Sequence, residues 1–163
     1  MAVTAPPNLS NGCEADRSMI PVEVKLVETE AEMEAALAVR MRVFVAEQSV
    51  PAEEELDDDD ATATHAIARH NGVVIGTGRL LIREEGVCQI GRMAVDQPWR
   101  RRGVGGELLL YLEQEALSQG MVQATLHAQE YVKGFYAAHG YLESGEAFLE
   151  AGIPHIEMRK EIG

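Results

Sequence analysis

The stretch from Val87 to Ala116 constrains the fold most. It opens as VCQIGRMAV, an apolar-rich run of strand length, and passes through DQPW to Arg100-Arg101-Arg102-Gly103-Val104-Gly105-Gly106. It then resumes with Leu108, Leu109, Leu112 and Ala116 at helical spacing. A glycine-rich turn that carries a strand into a helix leaves the first N–H groups of that helix unpaired. The helix dipole favours an anion at the same place. The chain as a whole has a formal net charge of −13, so three consecutive arginines here form a local positive site on an acidic background. The pattern points to a phosphate-bearing ligand.

Two familiar phosphate loops fail on their residues. A Walker loop needs Lys-Ser/Thr after its last glycine, whereas Gly106 is followed by Glu107 and Leu108. A dinucleotide fingerprint started at Gly103 would have Leu108 at its third glycine, and the strand before it belongs to a hairpin series.

The remaining pattern predicts one α/β domain, α+β in schemes that weigh antiparallel pairing. Val22–Val27 alternates like a half-buried strand, and Thr29 with Glu32 forms a capping box ahead of Met33, Leu37, Met41 and Phe44. After SVPAEEELDDDDATAT come HAIARH and VVIGTGRLLI, separated by Asn71-Gly72, a strong hairpin signal. Gly86 reverses the chain into VCQIGRMAV. The helix after the arginines closes at Gly120, MVQATLH follows as a strand, and Tyr131–His139 reads as a helix closed by Gly140. Tyr141–Leu149 and His155–Glu161 are two final strands around AGIP. The expected order is β-α-loop-β-β-β-α-β-α-β-β, a mixed, mostly antiparallel sheet flanked by helices.

With 163 residues, 46% hydrophobic and 25% charged, such a domain can bury a core without staples. Residues 1–20 read as a floppy polar extension and 21–163 as the domain. The acidic balance argues against non-specific nucleic-acid binding, and no apolar run approaches the length of a membrane span. Cys13 and Cys88 cannot build a disulfide framework, so a reducing cytoplasm is the default compartment. Five scattered histidines show no metal-ligand spacing, and no metal is expected.

Arg100-x-x-Gly103-x-Gly105 between strand and helix resembles the Arg/Gln-x-x-Gly-x-Gly/Ala signature of the GNAT superfamily of acetyl-CoA-dependent N-acyltransferases. Phe135-Tyr136-x-x-x-Gly140-Tyr141 resembles that family's second signature, with Gln129 where many members carry Asn; the resemblance covers residues 22–161. It implies acetyl-CoA as cosubstrate, with its pyrophosphate on the backbone of Gly103, Val104, Gly105 and Gly106. One or two of Arg100, Arg101 and Arg102 would face phosphate, since alternate side chains of a tight turn cannot all face one ligand. It also implies that the strand ending in Met93, Ala94 and Val95 parts from its neighbour, so that its main chain pairs with pantetheine. Tyr136 becomes the candidate general acid, because a phenol of pKa about 10 can hydrogen-bond to or protonate a departing thiolate of pKa near 8.5.

VFVxEQxVP, ELDxxD, Ala63-x-His65 and GIPHxxM place the chain close to a bacterial subgroup of the same family, at Val43–Pro51, Glu55–Asp60 and Gly152–Met158. For the acceptor, a small-molecule or peptide amine, Glu47, His127, Glu150 and His155 are the candidate polar residues. His127 and His155 are best suited as base, since an alkyl ammonium near pKa 10 must lose a proton before it attacks. Relatives of this kind are commonly homodimers, and no sequence feature locates an interface.

Seven carboxylates in EEELDDDD raise two readings. They could steer cationic acceptors, or Glu55, Asp57 and Asp60 could pair with Arg40, Arg79 or Arg92; pairing is expected for Asp57 and Asp60, with Glu47 and Glu150 left to favour cations. Arg40-x-x-x-Phe44, Glu55-x-Asp57-x-x-Asp60 and Arg79-Leu80 also resemble the acyl-homoserine-lactone synthases, which share the fold. Gln89 departs from the Glu expected three residues before Arg92. A third class is a non-catalytic acetyl-CoA-binding module.

Overall fold

The computed structural model describes residues 18–163; Cys13 and most of the expected extension lie outside them. Seven strands form one sheet in the order β1-β2-β3-β4-β5-β7-β6. They are β1 (Glu23–Leu26), β2 (Thr64–His70), β3 (Val73–Glu84), β4 (Val87–Val95), β5 (Gln123–Gln129), β6 (Leu142–Glu150) and β7 (Ile153–Glu161). All neighbours are antiparallel except β4 and β5. The helices are α1 (Glu30–Arg40), the single turn α2 (Ala52–Glu55), α3 (Val104–Ser118) and α4 (Lys133–Ala138). No helix among the described residues is long and apolar enough to cross a membrane.

Local sequence accounts for most junctions. The Thr29 hydroxyl accepts from the Glu32 amide at 3.1 Å and the Glu32 carboxylate accepts from the Thr29 amide at 3.2 Å, the reciprocal cap that starts α1. Asn71 and Gly72 both take positive φ, 50° and 79°, as a two-residue type I′ hairpin requires. Ala151 and Gly152 do the same at 51° and 74°, a tighter turn between β6 and β7 than the AGIP reading.

Two stretches differ from expectation. The buried face of α1 is Ala36, Val39 and Arg40, with Met33 and Leu37 only half-buried, because a buried guanidinium occupies part of the face. The helix also runs on as a π-helical segment, Met41–Glu47, and the acidic stretch folds into α2 and a 3₁₀ turn, Asp58–Ala61. Arginine neutralises carboxylates there, and that allows the compact turns.

The centre of the sheet, β3 and β4, is buried on both faces. Met93 and Val95 of β4 join the cluster built on Leu108, Leu109 and Leu112 of α3, while Ala94 between them joins Val39, Val43, Phe44 and Val50 on the α1 side. Gly78 permits the close approach of α3, since a Cβ there would lie 2.5 Å from the Met93 sulfur and 2.7 Å from Leu112. Two irregularities in β4 then position the site. Thr77 pairs with Ala94 but Arg79 pairs with Gly91, so β4 carries an extra residue, and Arg92 takes φ 50° in the bulge. On its other edge β4 pairs with β5 at only Val87, Cys88 and Gln89, after which the strands part.

Candidate active site

On one side of the opening, Val95, Trp99, Arg100, Arg101, Gly103–Gly106 and Phe135 line a groove of about 250 Å³. Gly103 caps α3 at φ 86° with no side-chain cap bond, so the first-turn N–H groups of this 15-residue helix depend on an external acceptor. The missing Cβ atoms serve packing: one at Gly103 would strike Met19, and one at Gly106 would come within 3.2 Å of His139.

The three arginines diverge. Arg100 donates from Nε to the Val95 carbonyl at 2.8 Å and from Nη2 to Glu47 at 2.8–3.0 Å, and its buried Nη1 has no partner. Arg101, in a positive-φ conformation, is exposed on the groove. Arg102 lies 5.4 Å from the Trp99 ring and donates to the Ser18 carbonyl at 3.1 Å. Glu47, read from sequence as an acceptor-side residue, is thus tied to the first arginine of the loop.

A second pocket of about 190 Å³ opens where Arg92 of β4, Gln129 of β5 and the β6–β7 turn converge. Phe44, Val50 and Ile153 supply apolar wall; Glu54, Glu55, Gln129, Glu150 and His155 supply acceptors. His127, Glu150 and His155 come together as one unit. His127 donates from Nδ1 to Glu150 Oε1 at 3.1 Å, and His155 Nε2 lies 3.5 Å from Glu150 Oε2. The hydrogen bond from His127 holds the Glu150 carboxyl at about 2. His155 is 3% exposed and donates from Nδ1 to the Ile153 carbonyl at 2.6 Å, which leaves Nε2 as the basic nitrogen. Burial pushes its pKa below the ordinary histidine value, favouring the neutral ring. Phe148 packs against both rings, with centroids at 5.0 and 6.0 Å.

Gln129 lines this second pocket rather than the groove. Its Nε2 donates to Gln48 at 2.9 Å, and its Oε1 is buried without a partner. Tyr136 is 1% exposed, packed edge-on against Phe135 and Tyr141, and lines neither opening; burial raises its phenol well above the ordinary value. Cys88 is fully buried and its thiol is pushed up to about 11 by burial. Gln89 accepts from Arg83 Nε at 2.6 Å and belongs to neither lining. The described residues contain no group of three His, Cys, Asp or Glu disposed to hold a metal ion.

The acidic stretch resolves into ion pairs. Arg40, 1% exposed, donates to Glu55 at 2.8 Å and to Asp60 at 2.8 and 3.2 Å. Arg79 donates to Asp57 at 2.7 and 3.2 Å and to Asp60 at 2.9 Å. Arg92 reaches Asp57 at 3.0 Å, Glu55 at 3.3 Å and the Glu54 and Glu55 carbonyls. The network fixes the wall that presents Glu54 and Glu55. Arg92 and Gln48 were missed as site residues. Arg92 could have been found as the residue after a glycine near a strand's end; Gln48 carried only its place in the VFVxEQxVP motif.

Comparison with known proteins agrees with this architecture. The sequence profile of the acetyltransferase (GNAT) domain matches residues 27–162. The uncharacterized N-acetyltransferase YjcF of Bacillus subtilis is 36% identical over 137 residues, covering 83% of this chain and 97% of YjcF. The crystal structure of Escherichia coli ElaA superposes with a TM-score of 0.78 at 26% identity, over 86% of this chain and all of ElaA. At 15% identity, where likeness speaks for fold alone, a GNAT family acetyltransferase of Elizabethkingia anophelis with acetyl-CoA bound gives a TM-score of 0.67, covering 86% of this chain and 97% of that one.

Proposed function

The chain belongs to the GNAT acetyltransferase family and is therefore an acyltransferase, and from that premise we propose that it moves an acetyl group from acetyl-CoA to a primary amine by direct attack in a ternary complex. One observation carries the reading: β4 parts from β5 after Gln89, and the same strand then lines both openings, with Arg92 on the pocket that holds His155 and Val95 on the groove at the start of α3. The Elizabethkingia relative, which holds acetyl-CoA on the same fold, supports the choice of donor.

The groove fits that donor. The first-turn N–H groups of α3, Arg101 and the unpartnered Nη1 of Arg100 would hold the pyrophosphate. The main chain of Met93–Val95 would pair with the pantetheine arm as an added strand. Acetyl-CoA supplies an activated thioester when bound. His155 Nε2, aligned by the Ile153 carbonyl and backed by Glu150 and His127, takes a proton from the acceptor ammonium. The freed amine lone pair forms the C–N bond at the acetyl carbonyl carbon, and the C–S bond breaks. Tyr136, which lines neither opening, would hydrogen-bond to or protonate the departing sulfur once the thioester arm is seated where β4 parts from β5. In sum an amide and a thiol are made, and one proton passes to solvent.

The test is an amine panel that follows thiol release from acetyl-CoA, run on the wild type and on Tyr136→Phe. The expected result is turnover on at least one amine, lowered about tenfold to a hundredfold in the variant while coenzyme A affinity is kept. A chain that binds coenzyme A and releases no thiol with any amine is a binding module, and unchanged turnover in Tyr136→Phe removes the phenol from the acid role.

A further inference from the structure

The acceptor pocket is more specific than a site for any amine. Resting on the acetyltransferase reading, we propose that its acceptor is a short aliphatic diamine, acetylated at one nitrogen while the second stays an ammonium held by Glu54.

Part of the lining offers hydrogen-bond acceptors. Gln129 is 2% exposed, lines the pocket, and keeps an Oε1 that is buried without a partner, an arrangement that costs free energy unless a donor arrives. Its amide is oriented by Gln48, which takes the N–H end and leaves the oxygen for a ligand. Beside it stand the Glu150 carboxylate and the basic Nε2 of His155. A primary ammonium brings three donors and fits such a set; after one proton passes to His155, two donors remain for Gln129 and Glu150.

The lining also has an apolar part. Phe44, Val50 and Ile153 are apolar, and they suit a methylene chain rather than a hydroxylated or carboxylated one. The volume, about 190 Å³, is below that of pockets for drug-sized ligands, which limits the acceptor to a small molecule or a thin chain end.

The charges of the remaining wall do not balance. Arg92 is the guanidinium on it, and it is engaged by Glu55, Asp57 and two backbone carbonyls, while Glu55 is also bound by Arg40. Glu54 is exposed on the same wall, and its carboxylate makes no ion pair among the described residues. Two carboxylates of the lining can therefore meet a ligand's cations, Glu150, which His127 hydrogen-bonds at one oxygen, and Glu54, and the apolar Phe44, Val50 and Ile153 line the same pocket. A monoamine satisfies one of them, a diamine both, and an amino acid would set its carboxylate against Glu54.

The experiment uses three acceptors of one length that differ only at the far end: 1,4-diaminobutane, n-butylamine and 4-aminobutanoate, assayed by thiol release with the full chain. The expected order of kcat/KM is diamine, then butylamine, then aminobutanoate, with the diamine ahead of butylamine by about tenfold at low salt and by less as ionic strength rises. Glu54→Gln should bring the ratio of diamine to butylamine close to one, which a purely structural role for Glu54 would not do. Equal use of diamine and butylamine by the wild type, or a ratio untouched by Glu54→Gln, overturns the proposal, as does failure of all three acceptors. Turnover of other amines in the wider panel would then leave the acetyltransferase reading standing, whereas silence across that panel would remove it.

Discussion

Replacing Asp60 by Asn should lower stability without changing which acceptors are used. The carboxylate accepts three hydrogen bonds from Arg40 and Arg79, at 2.8, 3.2 and 2.9 Å, and its side chain is 16% exposed against 1% and 6% for the two arginines. Burial is the largest single effect and opposes its ionisation, but the hydrogen bonds and charges of Arg40 and Arg79 together outweigh it and hold its pKa at about 2, against an ordinary 3.8. At about 1.4 kcal/mol per pH unit this corresponds to about 2.5 kcal/mol, and screening at the partly open side reduces it to about 1.5–2 kcal/mol. For a domain of this size the melting temperature should fall by about 3–8 °C at pH 7. Because the folded-state pKa is depressed, the contribution is fully present above the unfolded value near 4 and is lost as pH falls through about 2. The gap between wild type and variant should thus be constant from pH 8 to 5 and close between pH 4 and 2. Thermal melts across that range test the sign, and the ratio of cationic to neutral acceptors tests the role. A melting temperature within about 1 °C of wild type would refute the pairing argument, and a lost preference for cationic amines would return Asp60 to the acceptor site.

Cys88→Ala should retain turnover, since the thiol is fully buried and held up to about 11 by burial; complete loss in a folded variant that still binds coenzyme A would restore a covalent route. The kcat/KM for an amine should fall on the acid side with a midpoint below 6.5, because burial lowers the pKa of His155, and His155→Gln should cost about tenfold or more and abolish that limb; a wild-type midpoint above 6.5 counts against His155 as base. Glu47→Gln should tighten coenzyme A about threefold and leave pantetheine unchanged, since it removes a negative charge that now holds Arg100 at 2.8 Å beside the groove; weaker binding would show that Glu47 orients the arginine instead.

The groove at the start of α3 was legible in the sequence because it is made of local backbone conformation. Gly103 at φ 86°, the start of α3 at Val104 and the strand end at Val95 are set within ten residues, and each has a residue type that enforces it. The capping box at Thr29 and the turn at Asn71-Gly72 were legible for the same reason. The directions of the arginines were not, because they depend on partners far along the chain: Glu47 for Arg100 and Ser18 for Arg102. The second pocket is entirely of this second kind. Chemistry picked out His127, Glu150 and His155 one at a time, and only the antiparallel pairing of β5 with β7 and the turn at Ala151-Gly152 bring them onto one carboxylate. Gln129 stood out only as the residue where many members carry Asn, and register sets it opposite His155 on the lining of the second pocket.

The bulge at Arg92 ties the two sides together. An extra residue in β4 offsets its pairing with β3 between Gly91 and Ala94, and the positive φ turns the guanidinium toward α2, where it holds Glu55, Asp57 and two carbonyls. The strand that forms one edge of the donor opening therefore also carries the acceptor wall. The side chains that follow show why the offset must be one residue. Met93 and Val95 pack on α3 and Ala94 on the α1 side, and a strand without the extra residue would turn all three to the wrong face. Met93 and Val95 would then press into the space that Phe44 and Val43 fill, and α3 would be left with one alanine in place of two large side chains. Core packing thus fixes the bulge, the bulge aims Arg92, and Arg92 sets the wall of the second pocket that presents Glu54 and Glu55. The spacing of the two openings is therefore set by the most buried part of the sheet rather than by the loops that line them.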